Sequence, residues 1–172
     1  MKAIKTFILA VSVVICTGCR EFWDIFAEYA LLEIYNDSSS SICYFCPSVP
    51  EMINNQVPCT YPDTTICFKK PYGYLAFIEP GEIRTAHGQA RYLEDWFYYF
   101  PNDTISVFLF DGETVENVPW ETVVKEYLVL QRYDLSIEDM KKLDRTIHYP
   151  PTPGMRDIHM WPPYKEAVKM QQ

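Results

Sequence analysis

Thr104-Ile105-Ser106-Val107-Phe108-Leu109-Phe110 decides the fold class of this chain. β-Branched and aromatic residues dominate it, and these fit a pleated surface best. Strand geometry sends alternate side chains to opposite faces. Ile105, Val107 and Leu109 therefore share one face, and Phe108 and Phe110 share the other. Both faces are largely apolar, which predicts a strand covered on both sides and central in its sheet.

Shorter versions of the same signal lie on either side. Residues 30–35 (ALLEIY) and 41–45 (SICYF) read as strands around the polar turn 36–40, a hairpin pattern with a loose loop. Residues 74–78 read as a strand, Pro80-Gly81 as a turn and residues 82–86 as its partner. Residues 64–68 form a short β candidate, and 47–62 are rich in proline and asparagine, hence irregular. Residues 91–100 place Leu93, Trp96, Phe97 and Phe100 at helical spacing, stopped by Pro101.

Downstream, Asp111-Gly112 reads as a turn. Pro119 opens a helix with Trp120, Val123 and Val124 as its buried stripe, and residues 127–133 read as a strand. Ser136 caps a short helix holding Ile137, Met140 and Leu143. Glu138 and Asp139 in its first turn and Lys141 and Lys142 near its end match the helix dipole. Residues 146–149 close as a strand. From Pro150 onward, five prolines forbid a long helix or a central strand. Yet Met155, Ile158, Met160, Trp161 and Tyr164 are too apolar for a solvated tail. An extended segment laid across the domain satisfies both, with Ile158 and Met160 on one face and His159 and Trp161 on the other. The fold class expected is mainly β with short helices, a β-sandwich-like sheet pair with α+β inserts.

The N-terminus carries an address. Lys2 and Lys5 precede an apolar run from Phe7 to Ile15, and the small residues Thr17 and Gly18 precede Cys19. This is a secretory signal, too short to persist as a membrane-spanning helix. Its ending resembles a bacterial lipobox, in which cleavage precedes a cysteine that is then acylated; Cys16 departs from the usual leucine. Several acyl chains on Cys19 anchor a protein stably, where one binds only marginally. The organisation expected is a signal peptide over 1–18 and a short tether or amphipathic segment over 19–29. A single disulfide-stapled β-rich domain over 30–164 and a frayed C-terminus over 165–172 complete it. Within the tether, Phe22, Phe26 and Tyr29 share one helical face. Arg20 after the cysteine, where an inner-membrane protein would carry aspartate, favours the outer membrane. Periplasmic face and cell surface both stay open.

The formal net charge is −8, and it becomes two units more negative when Lys2 and Lys5 leave with the signal. An acidic chain without basic clusters argues against nucleic acid and against electrostatic membrane docking. The bilayer partner is reached through Cys19.

Cys43, Cys46, Cys59 and Cys67 remain in the exported chain, spaced C-x2-C-x12-C-x7-C. An oxidising compartment makes disulfides the expectation. Structural zinc wants two tight pairs, so no metal is expected. A redox Cys43/Cys46 pair is the sharper alternative, but prolines 47 and 50 follow it instead of a helix. On a strand these two cysteines face opposite ways, with Cα atoms roughly 10 Å apart, beyond disulfide reach. Of the three connectivities, nested pairing of Cys43 with Cys67 and Cys46 with Cys59 suits adjacent antiparallel segments.

His87, His148 and His159 share no metal-ligand spacing and read as scattered, solvated or half-buried residues. No catalytic residue and no cofactor is predicted. Tyr98, Tyr99, Trp120, Trp161 and Tyr164 are candidates for a glycan-binding face, weighed against simple packing. Asp63-Thr64-Thr65 and Asp103-Thr104-Ile105 make Thr64 and Thr104 candidate O-glycosylation sites, weighed against ordinary turn chemistry.

One resemblance emerges. Trp120, Lys125-Glu126-Tyr127, Leu130-Gln131-Arg132-Tyr133-Asp134-Leu135-Ser136-Ile137-Glu138-Asp139 and Ile147-His148-Tyr149-Pro150-Pro151 resemble small envelope lipoproteins of unknown function in Bacteroides and its relatives. So do Tyr61-Pro62-Asp63-Thr64-Thr65 and Met155-Arg156-Asp157-Ile158-His159-Met160-Trp161-Pro162-Pro163-Tyr164. The resemblance covers roughly residues 30–164. It implies an envelope lipoprotein and carries over no catalytic residue. The function expected is a membrane-anchored envelope lipoprotein with a non-enzymatic interaction or structural role toward an envelope protein or a glycan. Surface glycan binding and thiol–disulfide exchange are the alternatives.

Overall fold

A computed structural model describes residues 31–46, 61, 65–66, 76–87, 97 and 100–170. Its strands are β1 (Leu31–Asn36), β2 (Ile42–Phe45), β3 (Ala76–Ile78), β4 (Ile83–His87), β5 (Thr104–Asp111), β6 (Gln131–Ser136), β7 (Thr146–Tyr149) and β8 (His159–Trp161). Its helices are α1 (Gly112–Asn117), α2 (Trp120–Lys125), α3 (Ile137–Lys142) and α4 (Tyr164–Lys169). The strands form a three-stranded sheet, β4-β1-β7, and a five-stranded sheet, β3-β2-β5-β6-β8. The chain is mainly β with short helices, as its sequence predicts.

β5 is third of five, the central position its two apolar faces require. Ile105, Val107 and Leu109 enter a core shared with Leu32, Ile34 and Ile147 of the smaller sheet. Phe108 and Phe110 point the other way, into a second cluster with Val115 of α1 and Val123 of α2. The order of layers is small sheet, large sheet, then α1 and α2, while α3 buries Met140 in the core between the sheets.

Both predicted hairpins fail, and for one reason. β1 pairs with β4, not β2, and β2 pairs with β3. The two segments form one long antiparallel ribbon folded across both sheets, the way strands that switch sheets make a sandwich corner. The fully buried Asn36 sits at that corner. Its amide nitrogen donates to Ser40 O and Ile78 O, both at 2.8 Å, while its Oδ1 accepts from Ser38 N and Oγ. Gly81, at φ 78°, bends the other limb, and its N–H reaches Asn36 O at 2.7 Å. Alternation shows that two strands exist. It does not show whether the turn between them returns the chain to the same sheet.

Other boundaries move. Residues 111–112 are a helix start and not a simple turn, because the Asp111 carboxylate accepts from Thr114 N at 2.8 Å. Gly112 is required there, since a Cβ would lie 2.9 Å from Ser41 O. The strand expected over 127–133 begins only at Gln131, after Tyr127 turns the chain at φ 52°. α2 follows Pro119 as expected, with Val123 buried and Trp120 and Val124 half-buried. α3 has its full capping box, Ser136 Oγ accepting from Asp139 N and Asp139 Oδ2 from Ser136 N.

The proline-rich end does cross the domain. Met155, Ile158 and Met160 are buried in the inter-sheet core, and β8 forms the edge of the larger sheet beside β6. The expected fraying from residue 165 is corrected: α4 runs to Lys169 and buries Ala167. The strand candidate at 64–68 is described only at Thr65 and Ile66, which are coil, and the helix at 91–100 only at Phe97 and Phe100, both buried.

Tyr133 ties the layers together. Its hydroxyl donates to His148 O at 2.7 Å. Burial, and then the nearby Tyr149, push its phenol well above the ordinary value of 10.0. A raised folded value means the unfolded chain loses this proton first. The stabilisation is therefore complete below pH about 10 and declines above it, by up to about 1.4 kcal/mol per pH unit. Tyr44, Tyr127 and Tyr149 are raised in the same direction, chiefly by burial. Urea titrations between pH about 9 and 11 should show this alkaline loss, and Tyr133→Phe should flatten its slope. An unchanged slope would remove Tyr133 as the cause.

Candidate functional site

The helices α1 and α2 cover only part of the outer face of the larger sheet. Register sets what lies on the rest. Ser106, Asp134 and His159 are direct neighbours across β5, β6 and β8, and Phe108, Arg132 and Trp161 form the next row. All six share a face by strand alternation.

Asp134 is the hub. Its carboxylate is buried and accepts from three side chains. Ser106 Oγ donates to Oδ1 at 2.6 Å. Arg132 donates to Oδ2 from Nη2 at 2.8 Å and from Nε at 3.2 Å. His159 Nδ1 lies 2.8 Å from the same oxygen. A buried carboxylate is tolerated only when paired and hydrogen-bonded in this way. Arg132 is itself buried and donates from Nη1 to Tyr127 OH at 3.3 Å.

Aromatic rings line the rim. Tyr61 is fastened to the sheet by its own backbone: its N–H reaches Ser106 Oγ at 3.2 Å, and its carbonyl accepts from Asn102 Nδ2 at 3.2 Å. Its ring meets His159 edge to face at 4.8 Å, and Tyr127 meets Trp161 the same way at 4.9 Å. The row along β8 is therefore Tyr61, His159, Trp161, Tyr127. Trp161 is 42% exposed, Tyr61 37%, and the His159 side chain 58%. With Nδ1 held by Asp134, His159 keeps Nε2 as the nitrogen turned away from the carboxylate.

Serine, histidine and aspartate invite comparison with a hydrolytic triad. A triad places the serine proton on histidine and the carboxylate behind it. Here Ser106 and His159 both bind Asp134, so the serine proton is committed to the carboxylate. The arrangement fixes side chains and does not activate a nucleophile.

His148 and His159 lie apart and part-exposed, as expected, but each is paired with a carboxylate. His159 belongs to this hub. His148 Nδ1 lies 2.8 Å from Asp37 Oδ2, with Tyr35 edge-on at 5.4 Å, on the outer face of the smaller sheet. Sequence reasoning missed Ser106, Arg132 and Asp134 as a group. The available signal was Arg132-x-Asp134, two opposite charges on one face of a strand beside an apolar neighbour.

The other predicted residues scatter. Cys43 is buried in the cluster beneath the helices, while Cys46 packs against the inter-sheet core, so the two lie on opposite sides of the larger sheet. Cys19, Cys59, Cys67, Thr64, Tyr98 and Tyr99 lie outside the described residues. Thr104 is half-buried at the start of β5, its Oγ1 donating to Asn102 O at 2.8 Å. Trp120 is packed edge-on against Phe110, and Tyr164 lies against the core with Arg156 at 5.9 Å from its ring. Of the named aromatics that are described, only Trp161 is exposed. Among the described residues no helix is long and apolar enough to cross a membrane, and no three His, Cys, Asp or Glu side chains are placed to hold a metal ion.

No protein-family model matches the chain, and neither the curated proteins nor the solved structures contain a match to it.

Proposed function

We propose that this chain is a lipid-anchored protein of a bacterial outer membrane whose domain acts by binding, not by catalysis. The binding face is the rim along β8, where His159 and Trp161 are exposed beside Tyr61 and Tyr127. One observation carries this reading: Asp134 spends its carboxylate holding Ser106, Arg132 and His159 still, beneath exposed rings. Rigid side chains on regular strands make a recognition surface. The Cys43/Cys46 redox alternative is disfavoured, because the two side chains lie on opposite sides of one sheet.

Anchoring rests on the run ending in Thr17-Gly18-Cys19. Cys19→Ser should abolish labelling by a clickable palmitate and leave the protein as uncleaved precursor or outside the membrane fraction. Equal label on the variant would remove the anchor from the proposal. For the face, a photo-crosslinking residue at the exposed Glu126, beside Tyr127, should give adducts in whole cells, and one at the exposed Ile83 should not. Absence of adducts at 126 would count against this face.

A further inference from the structure

We infer that the row Tyr61, His159, Trp161, Tyr127 is a binding platform for a neutral saccharide. The inference rests on the reading of this face as the one that binds, and it names the ligand class. Three observations lead to it.

The first is the pairing of exposed rings with a fixed polar group. A sugar has an apolar C–H face and hydroxyl edges, so it needs a flat ring to lie on and a directed partner beside it. Trp161 and His159 are two residues apart on β8, on one face, about 6–7 Å apart by strand rise. Trp161 offers the ring. His159 offers Nε2, its orientation locked by Asp134 on one side and Tyr61 on the other. With Nδ1 turned to the carboxylate, Nε2 is left to meet a sugar hydroxyl, which both donates and accepts.

The second is charge. Arg132 is the cation of this group, and it is buried and already matched by Asp134. Among the described residues of the face, no cation is left for a carboxylated or sulfated sugar. The described groups of the face favour a neutral ligand.

The third is size. A stable protein interface buries about 800 Å² per partner. Trp and Tyr each present on the order of 150–250 Å² when wholly enclosed. At 42% and 37% exposure they offer far less than that together. Two ring faces of this size match one or two sugar rings.

The test uses the full lipoprotein in detergent, passed over immobilised neutral oligosaccharides of glucose, galactose, mannose and N-acetylglucosamine. Uronate- and sulfate-bearing oligosaccharides and a proline-rich peptide serve as comparison columns. Retention on a neutral column is expected. Trp161→Ala should weaken it at least about tenfold, Trp161→Phe less, and Ile83→Ala not at all. His159→Ala should weaken it while leaving the circular dichroism spectrum unchanged. Equal retention of Trp161→Ala would overturn the site. Retention on charged columns alone, or on none of the sugars, would overturn the ligand class. Retention on the peptide alone would overturn the saccharide but keep the binding face, whereas absence of crosslinks at Glu126 would defeat the face itself.

Discussion

Asp134→Ala is expected to destabilise the domain by about 3–5 kcal/mol, because it leaves Arg132 buried and unpaired. The substitution also orphans the buried Ser106 hydroxyl and releases the His159 ring. Removing both charges should cost less than removing one: in Arg132→Met/Asp134→Leu the desolvation penalty disappears with the pair. Chemical denaturation of the two variants beside the parent chain checks the order. A loss under about 1 kcal/mol for Asp134→Ala would place the network among ordinary surface ion pairs. That outcome would also deprive the face of its rigidity.

Truncation after Tyr149 should leave a chain that does not fold. It removes the buried Met155, Ile158 and Met160. At about 1.5–3 kcal/mol for each such side chain, the loss is comparable with the 5–15 kcal/mol that holds a typical domain. It also strips β8 from β6 and exposes a new sheet edge. Truncation after Tyr164 removes mainly α4 and its buried Ala167, and should cost about 1 kcal/mol. Thermal melts of the two truncations beside the full chain decide the matter. Coincident melts would mean that the segment contributes nothing to the domain.

How much of this was legible in the residues follows from what each signal encodes. Alternation in 105–110 gave the central strand, because burial on both faces leaves no polar position except Ser106. Ser136 with Asp139 gave the start of α3, because a cap is a local interaction. The alternation of Ile158, His159, Met160 and Trp161 gave the inward and outward faces of β8. Pairing was not legible. Nothing local to 36–40 says that its turn crosses between sheets, since Asn36 does this by reaching Ile78, 42 residues away. The start of β6 was misplaced because nothing in Tyr127-Leu128-Val129-Leu130 marks the turn at Tyr127, and its end was cut short because Asp134 looks like a surface residue whose burial only the pairing with Arg132 makes tolerable. The hub was hidden for the same reason: Ser106, Asp134 and His159 become neighbours only through register.

The parallel pairing of β1 with β7 carries one more consequence, in time. Glu33 lies beside Thr146, so the first strand described completes its sheet with a segment 113 residues further along. Closing so large a loop must precede any reward from the contact, which slows folding. β2 and β3, and then β5 and β6, find their partners within much shorter stretches. A chain that emerges from its N-terminus therefore has β1 waiting, exposed and without β7, until most of the domain is present. High contact order of this kind belongs with folding in milliseconds to seconds, and the smaller sheet is the last layer to close.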